Sequence, residues 1–196
     1  MHTLQVLEKK LGYTFRCKEQ LQAALYHSSY ANEHRCCGVS SNERLEFLGD
    51  AVLGLVTADY LYHKHPDLPE GDLTRMRAVL VCEESLYEVA QSLGLGNELR
   101  LGKGEEAGGG RCRPSILADA TESVFAAVYL DGGMEAARAL IHRVLLDKEQ
   151  EEAVEERRRD YKTELQELVQ RRSNQTLHYE TVSYTHLRAH ETLSDL

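Results

Sequence analysis

The stretch SNERLEFLGDAVLG, residues 41–54, places three carboxylates in an apolar segment with helical periodicity. Glu46 and Asp50 follow Glu43 by three and seven residues, and at about 100° per residue these offsets fall within an arc of about 60° on a helix. Leucine and valine cover much of the remaining circumference, so this acidic stripe borders a core. Because an unpaired buried charge is costly, the three carboxylates need a partner.

A second segment, SILADATESVFAAVYL at residues 115–130, repeats the arrangement with Asp119 and Glu122 three residues apart. Two facing acidic stripes repel each other unless protons or cations lie between them. Oxygen ligands suit a hard divalent cation, with Mg²⁺ preferred and Mn²⁺ able to replace it. A solvated acidic face is the alternative interpretation, but two such stripes in unusually apolar helices favour a divalent-cation site between the helices.

The first 150 residues are predicted to be all-α, because strand signals are almost absent before residue 175. Ser40, followed three residues later by Glu43, fits a capping box that opens a long helix to about His63. Further helices are predicted over 1–11, 18–27 and 115–130, over 72–94 in two pieces, and from Met134 onward after the DGG break.

Composition and charge limit the function classes. The 196 residues carry a net charge of −9, which taken alone argues against nucleic-acid binding. An acidic metal site accounts for the same charge, and a basic patch can lie elsewhere on the surface. The five cysteines include no CxxC pair, so reduced thiols are expected rather than a disulfide or zinc scaffold. With no signal peptide and no apolar run able to span a bilayer, we expect a cytoplasmic protein with no membrane partner.

The glycine-rich segment GKGEEAGGGRCR, residues 102–113, lacks the Lys-Ser/Thr pair of a P-loop, so no nucleotide cofactor is predicted. We expect a flexible surface loop here. The alternative is that Lys103, Arg111 and Arg113 contact phosphate.

The segment NERLEFLGDAVL resembles the signature of the ribonuclease III family. HSSYANE, EGDLTRMRAVLV and RPSILADATESVFAAVYLDGG match further family blocks in the same order. The resemblance covers about residues 4–148 and implies a helical, homodimeric catalytic domain, assigned to residues 1–150. It also implies an endoribonuclease that cleaves double-stranded RNA.

Site residues carried over from the family are Asp50 and Glu122 for catalysis, with Glu46, Asp50, Asp119 and Glu122 holding the metal. Glu43 and Glu70 match acidic positions that support RNA engagement and cleavage. Phe47 matches an aromatic residue that inserts into the partner subunit.

The resemblance further implies Mg²⁺-dependent phosphodiester hydrolysis to 5′-phosphate and 3′-hydroxyl ends with short 3′ overhangs. It also implies processing of ribosomal, messenger and transfer RNA precursors. Two alternatives remain: a catalytically inert RNA-binding or ribosome-associated relative, and an unrelated all-α metal-dependent hydrolase acting on small phosphates.

The C-terminal region departs from the family. Residues 151–159 are predicted to be a charged linker, and residues 160–181 resemble only the start of an α+β double-stranded RNA-binding domain, namely its first helix. The stretch VSYTHLRAHET, residues 182–192, resembles a translated transposase-adapter DNA, so residues 182–196 are predicted to be a non-native tail.

Overall fold

A computed structural model describes residues 2–147 of the chain, and this part is all-α, as predicted. Within it, the only β-type pairing is an isolated bridge between Tyr26 and Arg100. The helices are α1 (His2–Leu11), α2 (Lys18–Ala24), α3 (Ser28–Glu33), α4 (Glu43–Lys64), α5 (Glu70–Leu80), α6 (Glu83–Leu93), α7 (Lys103–Ala107) and α8 (Pro114–Ile141). Short 3-10 turns at Arg35–Cys37, Leu95–Asn97 and Gly110–Cys112 and a π-helical turn at His142–Leu146 complete the regular structure.

The predicted linker at 151–159, the partial RNA-binding domain at 160–181 and the tail at 182–196 all lie outside the described residues. Their boundaries therefore stay predictions. Among residues 2–147, no helix combines the length and the apolar character needed to cross a membrane.

Helix α8 forms the centre of the core. It is apolar around most of its circumference, which is typical of a helix surrounded by other elements. Phe125, Ala126 and Val128 are fully buried, and α2, α4 and α6 pack around it. The α4–α8 pair is the most extensive of these contacts, so the two helices that carry the acidic stripes are also the best anchored.

The predicted break at the DGG segment is confirmed at Gly133. This residue has φ 80° and ψ −179°, which interrupts helical geometry between the two parts of α8. Glycine adopts positive φ without the steric cost that a Cβ would impose. The chain can therefore change direction here while the apolar segment before the break stays helical and buried.

The predicted capping box at Ser40 is wrong. Helix α4 begins at Glu43, so its N-cap is Asn42, and Ser40 lies too far ahead to reach the first free N–H groups. Asn42 makes no side-chain cap and instead donates from Nδ2 to the carbonyl of Ala24 at 3.2 Å. Ser41 Oγ donates to Glu43 Oε2 at 2.5 Å. The start of α4 is thus fixed mainly by its attachment to the end of α2.

The segment predicted as a flexible loop contains α7 and a 3-10 turn. Arg111 holds it in place, because its guanidinium donates to both carboxylate oxygens of Glu106 and to two main-chain carbonyls of the preceding segment, at 2.8 and 2.9 Å. Arg113 pairs with Glu105 at 2.7 Å. These contacts favour a structural role for both arginines over phosphate binding.

Candidate active site

Helices α4 and α8 are in close backbone contact beside their acidic residues. A Cβ on Gly49 would overlap the carbonyl oxygen of Glu122, so only glycine permits this approach. Asp50 follows Gly49 directly, and Glu46 lies one turn earlier on the same helix. The backbone contact therefore sets the separation between the carboxylates of α4 and those of α8.

A second contact fixes the register of the two helices. Ser123 is fully buried and donates from Oγ to the carbonyl of Asn42 at 3.3 Å. Because Ser123 follows Glu122 directly and Asn42 immediately precedes α4, this bond joins the two helices beside their acidic residues. The stripes predicted from sequence do face each other.

The carboxylates of α4 and α8 raise one another's pKa values. Burial, followed by the charges of Asp50, Glu46 and Asp119, raises the pKa of Glu122 to about 8. Burial raises the pKa of Glu46 as well, with smaller contributions from Asp119 and Glu43. Thus α4 supplies charges that act on α8 and the reverse, as expected for one cluster contributed by two helices.

The pKa of Asp119 is also raised, first by burial. Two groups beyond the predicted set act on it: His27 lowers the pKa and Glu83 raises it. His27 also caps α3, since its Nδ1 accepts from the Ser29 N–H at 3.3 Å. Glu83 is the residue that sequence analysis missed at this site. It begins α6, and no spacing along the chain indicates that it lies near Asp119.

The supporting residues lie at the edge of the cluster or outside it. Glu43 is exposed and contributes to the raised pKa of Glu46. Glu70 is exposed at the start of α5, accepts from Thr74 Oγ1 at 2.7 Å, and is not among the groups that raise the pKa values of the cluster. Phe47 is 80% exposed on α4, next to Glu46 in the sequence.

We define the acidic cluster as Glu46, Asp50, Asp119 and Glu122. Within residues 2–147, no three His, Cys, Asp or Glu side chains are arranged so that they could hold a metal ion without moving. The donor chemistry nevertheless fits a hard divalent cation, because all four side chains offer carboxylate oxygens and the groups that raise the pKa of Glu122 are all acidic. Rotamer changes of the long glutamate side chains could bring the oxygens together.

Comparison with known proteins assigns the chain to a family. A family model described as Ribonuclease-III-like matches residues 18–149. The chain belongs to the ribonuclease III family. Ribonuclease 3 of Listeria innocua is 47% identical over 185 residues, covering 94% of this chain and 80% of the relative. Ribonuclease 3 of Pelotomaculum thermopropionicum is 51% identical over 176 residues, covering 90% and 73%.

Solved structures agree with this assignment. The nuclease domain of ribonuclease III from Campylobacter jejuni aligns with a TM-score of 0.70 and 42% identity, covering 76% of this chain and 97% of that one. A second structure of that nuclease domain, described for flexibility in a region involved in dimer formation, aligns with a TM-score of 0.69 and covers 74% and 98%.

Membership in the ribonuclease III family confirms the predicted fold class and identifies the chain as a ribonuclease III-type endoribonuclease. Enzymes of this family generally depend on a divalent metal. This makes the acidic cluster between α4 and α8 the candidate active site.

Proposed function

We propose that this chain hydrolyses double-stranded RNA with Mg²⁺, leaving 5′-phosphate and 3′-hydroxyl ends. The observation that carries the proposal is the acidic cluster of four carboxylates on two packed helices, in which burial, followed by the charges of Asp50, Glu46 and Asp119, raises the pKa of Glu122 to about 8. Such an arrangement is unfavourable for the metal-free fold and becomes favourable when a divalent cation binds.

In this proposal Asp50 and Glu122 are the catalytic residues, and both hold the metal together with Glu46 and Asp119. The metal is Mg²⁺, and Mn²⁺ can serve in its place. A metal ion held by these four residues would supply Lewis-acid stabilisation of the phosphate and would activate water. The chain itself positions the metal ligands, because contacts with the backbones of α4 and α8 hold the two helices, and so their carboxylates, next to each other. In the metal-free protein Glu122 retains a proton at neutral pH, and it releases this proton when it becomes a ligand.

The proposal includes a homodimer formed through α4. Phe47, Leu55 and Tyr62 are 80%, 56% and 69% exposed, and their offsets of eight and fifteen residues place them within about 80° on the helix. Burial of one phenylalanine stabilises an interface by roughly 2 kcal/mol, and twofold symmetry doubles this contribution. The Campylobacter jejuni nuclease domain, which is described with a region involved in dimer formation, supports dimer assembly in general.

Two acidic clusters related by the dimer axis would cut opposite strands and leave short 3′ overhangs. Recognition of the duplex is expected to rely on shape, 2′-hydroxyls and phosphates, with Glu43 and Glu70 supporting RNA engagement. We assign the enzyme to the cytoplasm and to processing of ribosomal and other structured RNA precursors, on the basis of its bacterial relatives.

The test uses perfect duplex RNA, the matching single strand and duplex DNA, each with Mg²⁺ or with a chelator. Only duplex RNA with Mg²⁺ should be cut. Glu122→Gln keeps the side-chain volume and removes the charge, so cleavage should fall by orders of magnitude while duplex binding persists. Glu135→Gln makes the same change at an exposed position of α8 and should leave the rate unchanged.

Three outcomes would contradict the proposal. Near-normal cleavage by Glu122→Gln would show that the site is misassigned. Duplex binding by the wild type without cleavage would favour an inert RNA-binding relative. Turnover of free nucleotides in place of duplex RNA would favour a small-phosphate hydrolase.

A further inference from the structure

Two adjacent cysteines lie on the exterior between α3 and α4. Cys36 and Cys37 both belong to the 3-10 turn Arg35–Cys37, and both are exposed. Their Sγ atoms are 3.8 Å apart. Gly38 follows the turn and adopts the left-handed backbone conformation, with φ 70°. Both thiols therefore belong to a single short turn that ends at this glycine.

The sulfur separation matches the requirement of a thiophilic cation. A tetrahedral zinc ion has Zn–S bonds of about 2.3 Å, and two such bonds at the tetrahedral angle place the sulfurs about 3.8 Å apart. Thiolate sulfur is a soft ligand that prefers such ions, whereas the carboxylates of the acidic cluster prefer hard Mg²⁺ or Mn²⁺. The two groups therefore select different metals.

The geometry points to a bidentate thiolate site at Cys36 and Cys37 for a d¹⁰ divalent cation of the zinc and cadmium class. Water or small thiols would complete its coordination, because within residues 2–147 no third His, Cys, Asp or Glu side chain joins the pair in a ready-made metal cluster. This is an exchangeable site, unlike the closed four-ligand sites that stabilise zinc-dependent folds. Metal binding breaks two S–H bonds, releases both protons to solvent and forms two S–metal bonds, with no change of oxidation state.

Other thiols of the chain provide matched controls. Cys17 and Cys112 are also exposed, but each is far along the chain from another cysteine. Cys17 Sγ lies 3.1 Å from Glu19 Oε2 rather than beside a second sulfur. If exposure alone determined binding of soft metals, these two thiols would behave as Cys36 and Cys37 do.

The experiment is a Cd²⁺ titration of the reduced, metal-free full chain, followed by the ultraviolet absorbance of the sulfur–cadmium bond. Cadmium bound to carboxylates does not give this absorbance, so Cd²⁺ bound at the acidic cluster does not contribute to the signal. We expect one Cd²⁺ per chain. Cys36→Ser and Cys37→Ser should each lose about half of the absorbance and weaken binding by about tenfold or more, because the second sulfur acts at high effective concentration. Cys17→Ser and Cys112→Ser should match the wild type.

Excess Mg²⁺ should leave the absorbance unchanged. Equal melting temperatures of all variants without metal would verify that the serine substitutions preserve the fold. The inference is overturned if the absorbance survives in the Cys36→Ser/Cys37→Ser double variant, if either single variant binds Cd²⁺ as tightly as the wild type, or if Mg²⁺ displaces the bound Cd²⁺.

Discussion

The raised pKa of Glu122 makes metal binding depend on pH. Burial and the neighbouring carboxylates raise this pKa to about 8. A carboxyl group must lose its proton before it can bind a metal ion. Below pH 8, Mg²⁺ therefore has to displace a proton from Glu122, and the apparent affinity should fall as the pH falls.

The size of the effect follows from the difference between the pH and the pKa of Glu122. At pH 7, one unit below about 8, roughly one Glu122 side chain in ten is ionised. Mg²⁺ binding should then be up to about tenfold weaker at pH 7 than on the plateau above pH 8, and up to about a hundredfold weaker at pH 6. Because Glu122 is only half-buried, solvent screening reduces these values, which are therefore upper limits.

Isothermal titration calorimetry of the metal-free protein between pH 6 and pH 9 measures this dependence. Two buffers with different ionisation enthalpies give the number of protons released per Mg²⁺, which should approach one at pH 6. Glu122→Gln should remove both the slope and the proton release, whereas Glu135→Gln should keep both. Constant affinity between pH 6 and pH 8 with no proton release would refute the reasoning.

Four further predictions concern the fold and the assembly. The folded-state pKa of Glu122, about 8, exceeds the ordinary glutamate value of 4.5, so the stability that its protonated form contributes is lost as the pH rises from about 4.5 through 8. The melting-temperature advantage of metal-free Glu122→Gln over the wild type should therefore grow across that window and then level off. Gly49→Ala should lower the melting temperature by the equivalent of about 1–3 kcal/mol because its methyl group overlaps α8, whereas Gly54→Ala, where a Cβ meets nothing, should be neutral or slightly stabilising. Phe47→Ala should shift the sedimentation profile toward monomer and lower cleavage with it; an active monomer would contradict the interface. Arg111→Ala should cost about 1–3 kcal/mol in thermal unfolding by leaving two main-chain carbonyls without its donors, and Mg²⁺ affinity should not change.

The acidic stripes could be predicted from sequence because they depend on local periodicity. Offsets of three and seven residues determine which side chains share a helix face, whatever the tertiary structure. The apolar character of the rest of both helices then requires that they be buried, and two buried helices with polar stripes can satisfy both demands by packing together. The close approach of Glu46 and Asp50 to Asp119 and Glu122 follows from these two properties.

Features that depend on distant contacts could not be predicted in the same way. The loop predicted at residues 102–113 is ordered by Arg111, whose acceptors include the carbonyls of Gly96 and Leu99. The approach of Glu83 to Asp119 depends on how α6 packs against α8. Neither relation leaves a periodic signal in the sequence, because each joins segments separated by turns of irregular geometry.

Gly49 is unfavourable for helix α4 but is required for the close approach of the carboxylates of α4 and α8. Within a helix, glycine costs about 0.5–1 kcal/mol relative to alanine, so local propensity alone disfavours it beside Asp50. The contact with the Glu122 carbonyl explains its presence, since any side chain would separate α4 from α8 and move their carboxylates apart. Gly49 and the repelling carboxylates thus both lower the stability of the fold at the same place. Burial of the apolar surface of α8 offsets these two free-energy costs. A site arranged in this way is least stable when empty of cations, which is why metal binding and stability should respond to the same carboxyl group.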